Sequence, residues 1–399
     1  MRNDAPPAAH EISFWKIADL PKENFDAAYR DHAEPYPQSE LSDGSWELEN
    51  PALRNLRNKI VAGKPTLKAV YGSPYRGILT GRNEAFVIDR KTRDALIAQD
   101  PKSAEILKPW LEGKDIKKWR AESRDLWVIF TRRGIDIEVY PAIKTYLETS
   151  RVQLEPKPSS WDTTSPDQAW AGRKTGSYQW YEIQDSIDYY SKFDAPKIVY
   201  GHFAVRSLFF VDKSGFYSND KSYILANYDG FLLSLLNCSA IWFLITGESP
   251  PVRGGFYELR TPYINSLPIP PATDAQKAAL ASLAESAQAA AEERYRLQLE
   301  ITRRIPDLAT GTAAKLTERL KSWWELPDFA AFQAEVKKAF KADIPLKERN
   351  DWESWISESR TAIHALTAKI TALEADINTR VNALFGLTPD EIALLESSL

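Results

Sequence analysis

Side chains able to grip an anion, or to read a pattern of hydrogen-bond donors and acceptors, recur in this chain beside glycine. Tyr75-Arg-Gly-Ile-Leu-Thr-Gly-Arg-Asn83 is the richest stretch. Glu112-Gly-Lys-Asp-Ile-Lys-Lys118, Trp170-Ala-Gly-Arg-Lys-Thr-Gly-Ser-Tyr178, Gly201-His-Phe-Ala-Val-Arg206, Ser218-Asn-Asp-Lys221 and Arg253-Gly-Gly255 share its character. Glycine lets a backbone approach a bulky partner closely, Arg and Lys neutralise phosphate or pair with guanine, and Asn or Gln can pair with adenine. The candidate contact residues are Arg76, Arg82, Asn83, Lys114, Lys117, Lys118, Arg173, Lys174, His202, Arg206, Lys221 and Arg253. Each loop taken singly also has a structural reading: Gly77 and Gly81 as hairpin turns, Trp170 and Trp180 as core, Lys114 to Lys118 as a solvated helix start. Six such loops together favour binding.

Bond-making patterns are missing. Methyl transfer to adenine needs a glycine-rich turn for the methyl donor and an Asn/Asp/Ser-Pro-Pro-aromatic turn for the flipped base. Ser249-Pro250-Pro251 comes nearest, but Val252 stands where the aromatic belongs, and the chain has no Gly-x-Gly. The acid-x-Lys spacing of metal-dependent nucleases occurs at Asp89, Glu112, Asp115, Glu155 and Glu335, too often to discriminate. His10, His32, His202 and His364 have no His or Cys partner at metal-binding spacing, and the single cysteine, Cys238, lies in an apolar run as a buried structural thiol. No catalytic residue, metal site or cofactor site is expected in the chain.

The elements that must carry these loops follow from composition and periodicity. Of 399 residues, 43% are hydrophobic and 12% aromatic, enough to fill real cores. The net charge of −4 hides an uneven distribution: from Arg54 to Arg133 there are nineteen Lys and Arg against nine Asp and Glu, a net +10 that leaves the remainder at −14. A phosphate-binding face needs only a local excess. Ala85-Phe-Val-Ile, Leu126-Trp-Val-Ile-Phe, Lys197-Ile-Val-Tyr and Leu208-Phe-Phe-Val read as strands; helical periodicity occupies 53–60, 92–99, 141–148 and 229–245. This mixture predicts an α+β fold on a bent, mostly antiparallel sheet.

Leu267-Pro-Ile-Pro-Pro breaks regular structure, and an all-α, coiled-coil tail is expected beyond it. Thr273 with Gln276 forms a capping box for an Ala-rich helix to about Arg304. A segment from Ala313 to Phe340 carries enough aromatic surface to pack two short helices. Ile356, Ile363, Ile370, Ile377 and Leu384 then repeat every seven residues, a seam that needs a partner; an antiparallel hairpin with the Ala-rich helix is the economical answer, pairing between chains the alternative. Gly386 ends the seam and Thr388-Pro-Asp-Glu391 opens a last helix. The expected division is an extension over 1–40, a specificity domain over 41–271 and a helical domain over 272–399. Met1-Arg-Asn-Asp-Ala-Pro-Pro lacks the marks of a signal peptide, and no apolar run reaches the roughly 18 residues that span a bilayer, so no membrane contact and a cytoplasmic location are expected.

Five blocks carry a resemblance. Tyr75-Arg-Gly-Ile-Leu-Thr-Gly-Arg-Asn-Glu-Ala-Phe-Val-Ile-Asp89, Leu107-Lys-Pro-Trp-Leu-Glu-Gly-Lys-Asp-Ile116, Phe193-Asp-Ala-Pro-Lys-Ile-Val-Tyr200, Leu232-Leu-Ser-Leu-Leu-Asn237 and Tyr263-Ile-Asn-Ser-Leu-Pro-Ile-Pro270 follow in the order and spacing of the TaqI-like C-terminal specificity domain. The chain resembles this target-recognition part of adenine-specific DNA methyltransferases and fused restriction-modification enzymes over roughly residues 40 to 271. Leu384-Phe-Gly-Leu-Thr-Pro-Asp-Glu-Ile392 is similar to the family's C-terminus. The resemblance implies recognition of double-stranded DNA through the major groove, with a separate methyltransferase domain or subunit supplying S-adenosylmethionine and the pocket for the flipped adenine. The methyltransferase region that normally precedes the domain is not found before the first block, so the chain reads as a separate specificity subunit or as a fragment of an active adenine methyltransferase. A protein-interaction role for the coiled coil is the third reading, and a nuclease partner is left open.

Overall fold

The computed structural model describes residues 10–15, 24–38, 50–161, 169–309 and 315–399. The expected boundary at residues 40 and 41, and the start of the aromatic segment at Ala313, lie outside the described residues. Two compact units are formed. One takes the described residues up to Lys64 together with Phe385–Leu399, and the other is Pro65–Leu384.

In the smaller unit, strands β1 (Glu11–Phe14) and β2 (Glu34–Pro37) pair antiparallel around the helix Phe25–His32. Asn50 caps the helix Pro51–Val61, and Tyr36, fully buried, accepts a hydrogen bond from Arg54. Gly386, at φ +67°, ends the preceding helix, and Thr388 and Glu391 close a capping box on Pro389–Ser397. Glu391 also takes Lys59 at 2.6 Å, which pins this last helix to Pro51–Val61.

The larger unit is built on two four-stranded sheets. Its strands are β3 (Tyr75–Arg76), β4 (Val87–Asp89), β5 (Leu107–Leu111), β6 (Ile116–Lys117), β7 (Arg120–Ala121), β8 (Leu126–Ile129), β9 (Lys197–Gly201), β10 (Phe203–Ala204), β11 (Phe209–Asp212), β12 (Tyr217–Ser218), β13 (Ser222–Leu225), β14 (Pro251–Val252) and β15 (Phe256–Glu258). One sheet has the order β12-β5-β8-β4, with only β12 parallel to its neighbour, and the other is antiparallel in the order β11-β9-β13-β3. Ile88, Trp110 and Val128 from the first meet Val199, Phe210 and Ile224 from the second in one core. A small sheet β10-β15-β14 and the ribbon β6-β7 complete the α+β fold. Alternation fails at Ala85-Phe86: these residues belong to the helical turn Asn83–Phe86, and the strand begins only at Val87. The apolar run from 229 to 245 is broken at Asn237 and Cys238 into Gly230–Leu236 and Ser239–Glu248.

The sheets are tied by buried polar groups. Lys197, fully buried at the start of β9, donates to Asp212 at 2.5 Å and to the Phe193 carbonyl at 2.6 Å; burial pulls its pKa down against the attraction of Asp212. β11 is an edge strand, and an open edge is a template for unwanted pairing. Two side-chain amides close it. Asn237 Oδ1 accepts from Phe209 N at 3.2 Å while its Nδ2 donates to Phe209 O; Gln288 does the same for Val211, at 2.8 and 2.7 Å.

Gln288 belongs to the helix Asp274–Thr302, which starts with the Thr273–Gln276 capping box. Gly230 lets the helix Gly230–Leu236 approach it: a Cβ there would stand 2.6 Å from that of Ala281. The helix Arg349–Leu384 runs antiparallel to Asp274–Thr302, with Arg294 bonded to Thr367 and Gln276 close to Leu384. Ile356, Ile363, Ile370 and Ile377 are buried. At the far end of the pair, Trp323, Phe332 and Val336 from the intervening segment form a second core with Ile301, Ile356 and Ile363. Glu374 reaches the sheet region, accepting from Trp119 Nε1 at 2.6 Å and pairing with Lys118 at 3.0 Å, and Asn378 Oδ1 caps Ser239 N.

Replacing Gln288 by leucine keeps most of the volume but leaves the Val211 N–H and C=O without these partners. At roughly 1–3 kcal/mol for each orphaned buried group, a loss of about 2–6 kcal/mol is expected in the urea unfolding free energy.

Candidate nucleic-acid interface

The two large sheets meet where the chain passes from β3 to β4 and from β12 to β13, and the candidate loops lie at that corner. Leaving β3, Ile78 donates to the Ser218 carbonyl at 2.7 Å. Leu79 accepts from Asp185 N and Thr80 from Gln184 N. Gly77 is demanded by proximity, since a Cβ would lie 1.9 Å from the Asn219 carbonyl oxygen. Gly113 has the same constraint, its Cβ position being 2.7 Å from Lys221 O, and its N–H donates to Asn219 Oδ1. His202 N donates to Lys221 O at 2.9 Å.

These contacts bring together Arg76, the loop bearing Lys114, the backbone of His202, and Lys221. Arg76 at 3.1 Å and Lys221 at 3.3 Å share the carboxylate of Asp220, and about half of each cationic side chain is exposed. Farther along the first loop, Arg82 is exposed and lies 3.3 Å from Glu84, while Asn83 Oδ1 accepts from Thr80 Oγ1 at 2.6 Å. Beside it Arg133 donates to Ser177 Oγ and the Gln184 carbonyl. Burial holds the Asp185 carboxyl above its ordinary value against the pull of both Arg76 and Arg133, so these two cations act on one acid. Lys174 and Arg253 are exposed, the latter at the β14–β15 turn.

Burial sets Arg173 and the His202 ring apart from the exposed candidates, and Lys117, Lys118 and Arg206 lie away from Arg76. Arg173 is not an exposed contact: it is 3% exposed, and all five N–H donors are spent on the carbonyls of Leu154, Thr80, Glu182, Gln179 and Trp180. Burial pushes its pKa down to about 10. His202 does not offer its ring to a partner in this state. Both ring nitrogens are buried without a hydrogen bond, the ring stacks on Phe203 at 4.3 Å, and burial lowers its pKa. Lys118 is turned to Glu374, and Lys117 bonds to the Lys114 carbonyl, so neither belongs with Arg76. Arg206 is exposed and acts on Arg294 alongside Arg120, also apart from Arg76.

The basic run is likewise no continuous track. Its residues 54–64 fall in the smaller unit, and Arg90, Arg120 and Arg124 are paired with Asp125, Glu122 and Asp115 respectively. Lys114 remains two-thirds exposed beside Glu112. Sequence reading took Arg133 only as the end of the basic run and missed Arg260, which pairs with Glu258 at 2.5 Å next to His202. Arg-Glu at i, i−2 across a strand end was the available signal. Among the described residues no group of three His, Cys, Asp or Glu side chains is placed to hold a metal ion.

Residues 108–269 match the model of one protein family, described as the TaqI-like C-terminal specificity domain. This segment is a TaqI-like specificity domain. The β9 and β13 strands that support the corner lie in it, as does β5 from Lys108 onward. Residues 273–381 match a second family, a domain of unknown function, DUF8810. Among solved structures, the chain is similar to the type IIL restriction-modification enzyme MmeI, solved in complex with DNA, at 12% identity and a TM-score of 0.46, over 82% of this chain and 35% of that one. It is also similar to the type IIG restriction endonuclease BpuSI, at 11% identity and a TM-score of 0.34, over 85% and 36%. The chain thus spans about a third of the length of each of these relatives. No curated protein matches it.

Arg173→Met strips hydrogen bonds from five carbonyls of the specificity domain, and its thermal unfolding midpoint should drop sharply, whereas Lys174→Ala should leave it unchanged. For His202 the folded state holds the proton less tightly than the unfolded chain, whose ordinary value is 6.5. Folding stability therefore rises with pH in the window just below 6.5 and is lost as pH falls through it. His202→Gln should flatten that part of the stability–pH curve in denaturant titrations.

Proposed function

We propose that the chain recognises a specific sequence in double-stranded DNA for an adenine-N6 methyltransferase or a restriction-modification enzyme, whose catalytic domain or subunit binds S-adenosylmethionine. The observation that carries this reading is the corner between the two sheets. There Arg76, Lys221, Arg82 and Arg133 sit on segments packed closely at Gly77, Gly81 and Gly113, where a Cβ would clash, within or directly beside the specificity domain. Such a corner can neutralise phosphate while its guanidinium groups reach base edges. Arg82, paired among the described residues with the exposed Glu84, suits base reading; Lys221 and Lys114, compact charges on exposed stems, suit phosphate.

Labelled duplexes titrated at several salt concentrations test the reading. Affinity should fall linearly on a log–log plot as salt rises, and a salt-independent affinity would sink the role given to phosphate. Arg82→Ala should cost about 1–3 kcal/mol against the preferred sequence alone, relaxing specificity. Lys221→Ala should weaken all sequences about equally and reduce the salt slope by about 1.

A further inference from the structure

Nine large hydrophobic residues are conspicuously exposed among the described residues, and three of them, Phe203, Val205 and Phe256, belong to the small sheet β10-β15-β14 or its immediate continuation. The register explains their concentration. Phe203 pairs with Glu258 and Ala204 with Tyr257, so the next step puts Val205 opposite Phe256; on the other side of β15, Val252 pairs with Phe256. Directly opposed residues and residues two apart share a face of a sheet. Phe203, Val205, Phe256 and Val252 thus form one apolar face, while Ala204 is buried and Tyr257 packs edge-on against Trp242 on the other.

The face is held firmly. Leu259 N donates to the His202 carbonyl at 2.7 Å, and the buried Ser249 hydroxyl bonds both the N–H and the carbonyl of Glu258. Its rim is cationic. Arg253 and Arg260 are exposed next to Val252 and at the end of β15, Arg206 is exposed one residue past Val205, and Glu258, the carboxylate on the face among the described residues, is taken by Arg260 at 2.5 Å. Rigid aromatic rings ringed by guanidinium groups suit a nucleobase with phosphates on either side: every base has a π-face to stack, and its backbone carries the charge to pair.

We propose that this face is a stacking platform for a nucleotide displaced from the duplex, with Phe203 and Phe256 receiving the base and Arg206, Arg253 and Arg260 the flanking phosphates. This rests on the DNA-binding reading above. It assigns the aromatic side chains to a step that the arginines and lysines of the sheet corner do not perform.

The test compares the full chain's affinity for a perfectly paired 20-base-pair duplex and for the same duplex with one unpaired 2-aminopurine bulged at its centre. Wild type should prefer the bulged duplex by about tenfold, with a change in 2-aminopurine fluorescence on binding. The Phe203→Ala/Phe256→Ala double variant should lose both while keeping the salt dependence of its binding to the paired duplex. Phe256→Trp should retain them, and an unchanged thermal midpoint confirms that each variant is folded. Equal affinity of wild type for the two duplexes, or a preference that survives in the double alanine variant, overturns the platform but leaves sequence recognition standing. Failure to bind either duplex at any salt overturns both. Self-association of the wild type that the double variant abolishes, seen by sedimentation without a bulge preference, replaces the platform with a protein-docking face.

Discussion

The backbone of β11 sets the terms for the larger unit. It is the outermost strand of its sheet, yet the N–H and C=O of Phe209 and Val211 on its free side are occupied by the amides of Asn237 and Gln288, one from each of two packed helical segments. A carboxamide presents a donor and an acceptor at the spacing a neighbouring strand would, so each amide stands in for one residue of a strand. Because the fit is directional, the Asp274–Thr302 helix cannot slide or rotate without breaking it. The helix Arg349–Leu384, packed along the first, then delivers Glu374 to Trp119 and Lys118, next to the loop that Gly113 opens. One edge strand thus fixes the long helices against the matched segment, and the helices in turn brace the loop after Gly113 through Glu374.

The same geometry separates charge that can act on a partner from charge that cannot. A run with a net +10 looks like a phosphate track in one dimension. Folding gives Asp125, Glu122, Asp115 and Glu374 to its cations, and it leaves outward a few at the sheet corner, where Arg76 and Lys221 share the carboxylate of Asp220. Asp220 itself is largely covered, and about half of each of its two cationic partners faces outward.

What sequence reveals here is what local chemistry decides. The capping boxes at Thr273 and Thr388 and the helix-ending Gly386 are where side-chain pattern places them, and so are most strand cores, because short-range hydrogen bonds and burial period act over a few residues. The five family blocks are legible for a similar reason. Lys197 and Asn237 stand in them, and each bonds a buried group of β11: Lys197 the Asp212 carboxylate, Asn237 the Phe209 backbone. Arg173 and Lys118 were not legible. Nothing near Arg173 in sequence announces a cage of five carbonyls, and Glu374 is 255 residues from Trp119. An arginine beside glycine has the same letters whether it reads a base or staples a loop. Ala85-Phe86 misled differently: its apolar pair has a strand's composition, but the Arg82 carbonyl draws both residues into a helical turn.

Leu267-Pro-Ile-Pro-Pro, with family matches ending at 269 and starting at 273, invites a cut that would isolate the specificity domain. Gln288 lies beyond that cut. A piece ending there would present a bare ladder rung at Val211 and an uncovered apolar flank along Gly230–Leu236, the setting in which chains swap segments or stack into insoluble assemblies. The helices after residue 272 therefore complete the hydrogen bonding and cover of the sheet, and the folded unit that holds β11 extends past the end of the matched family segment.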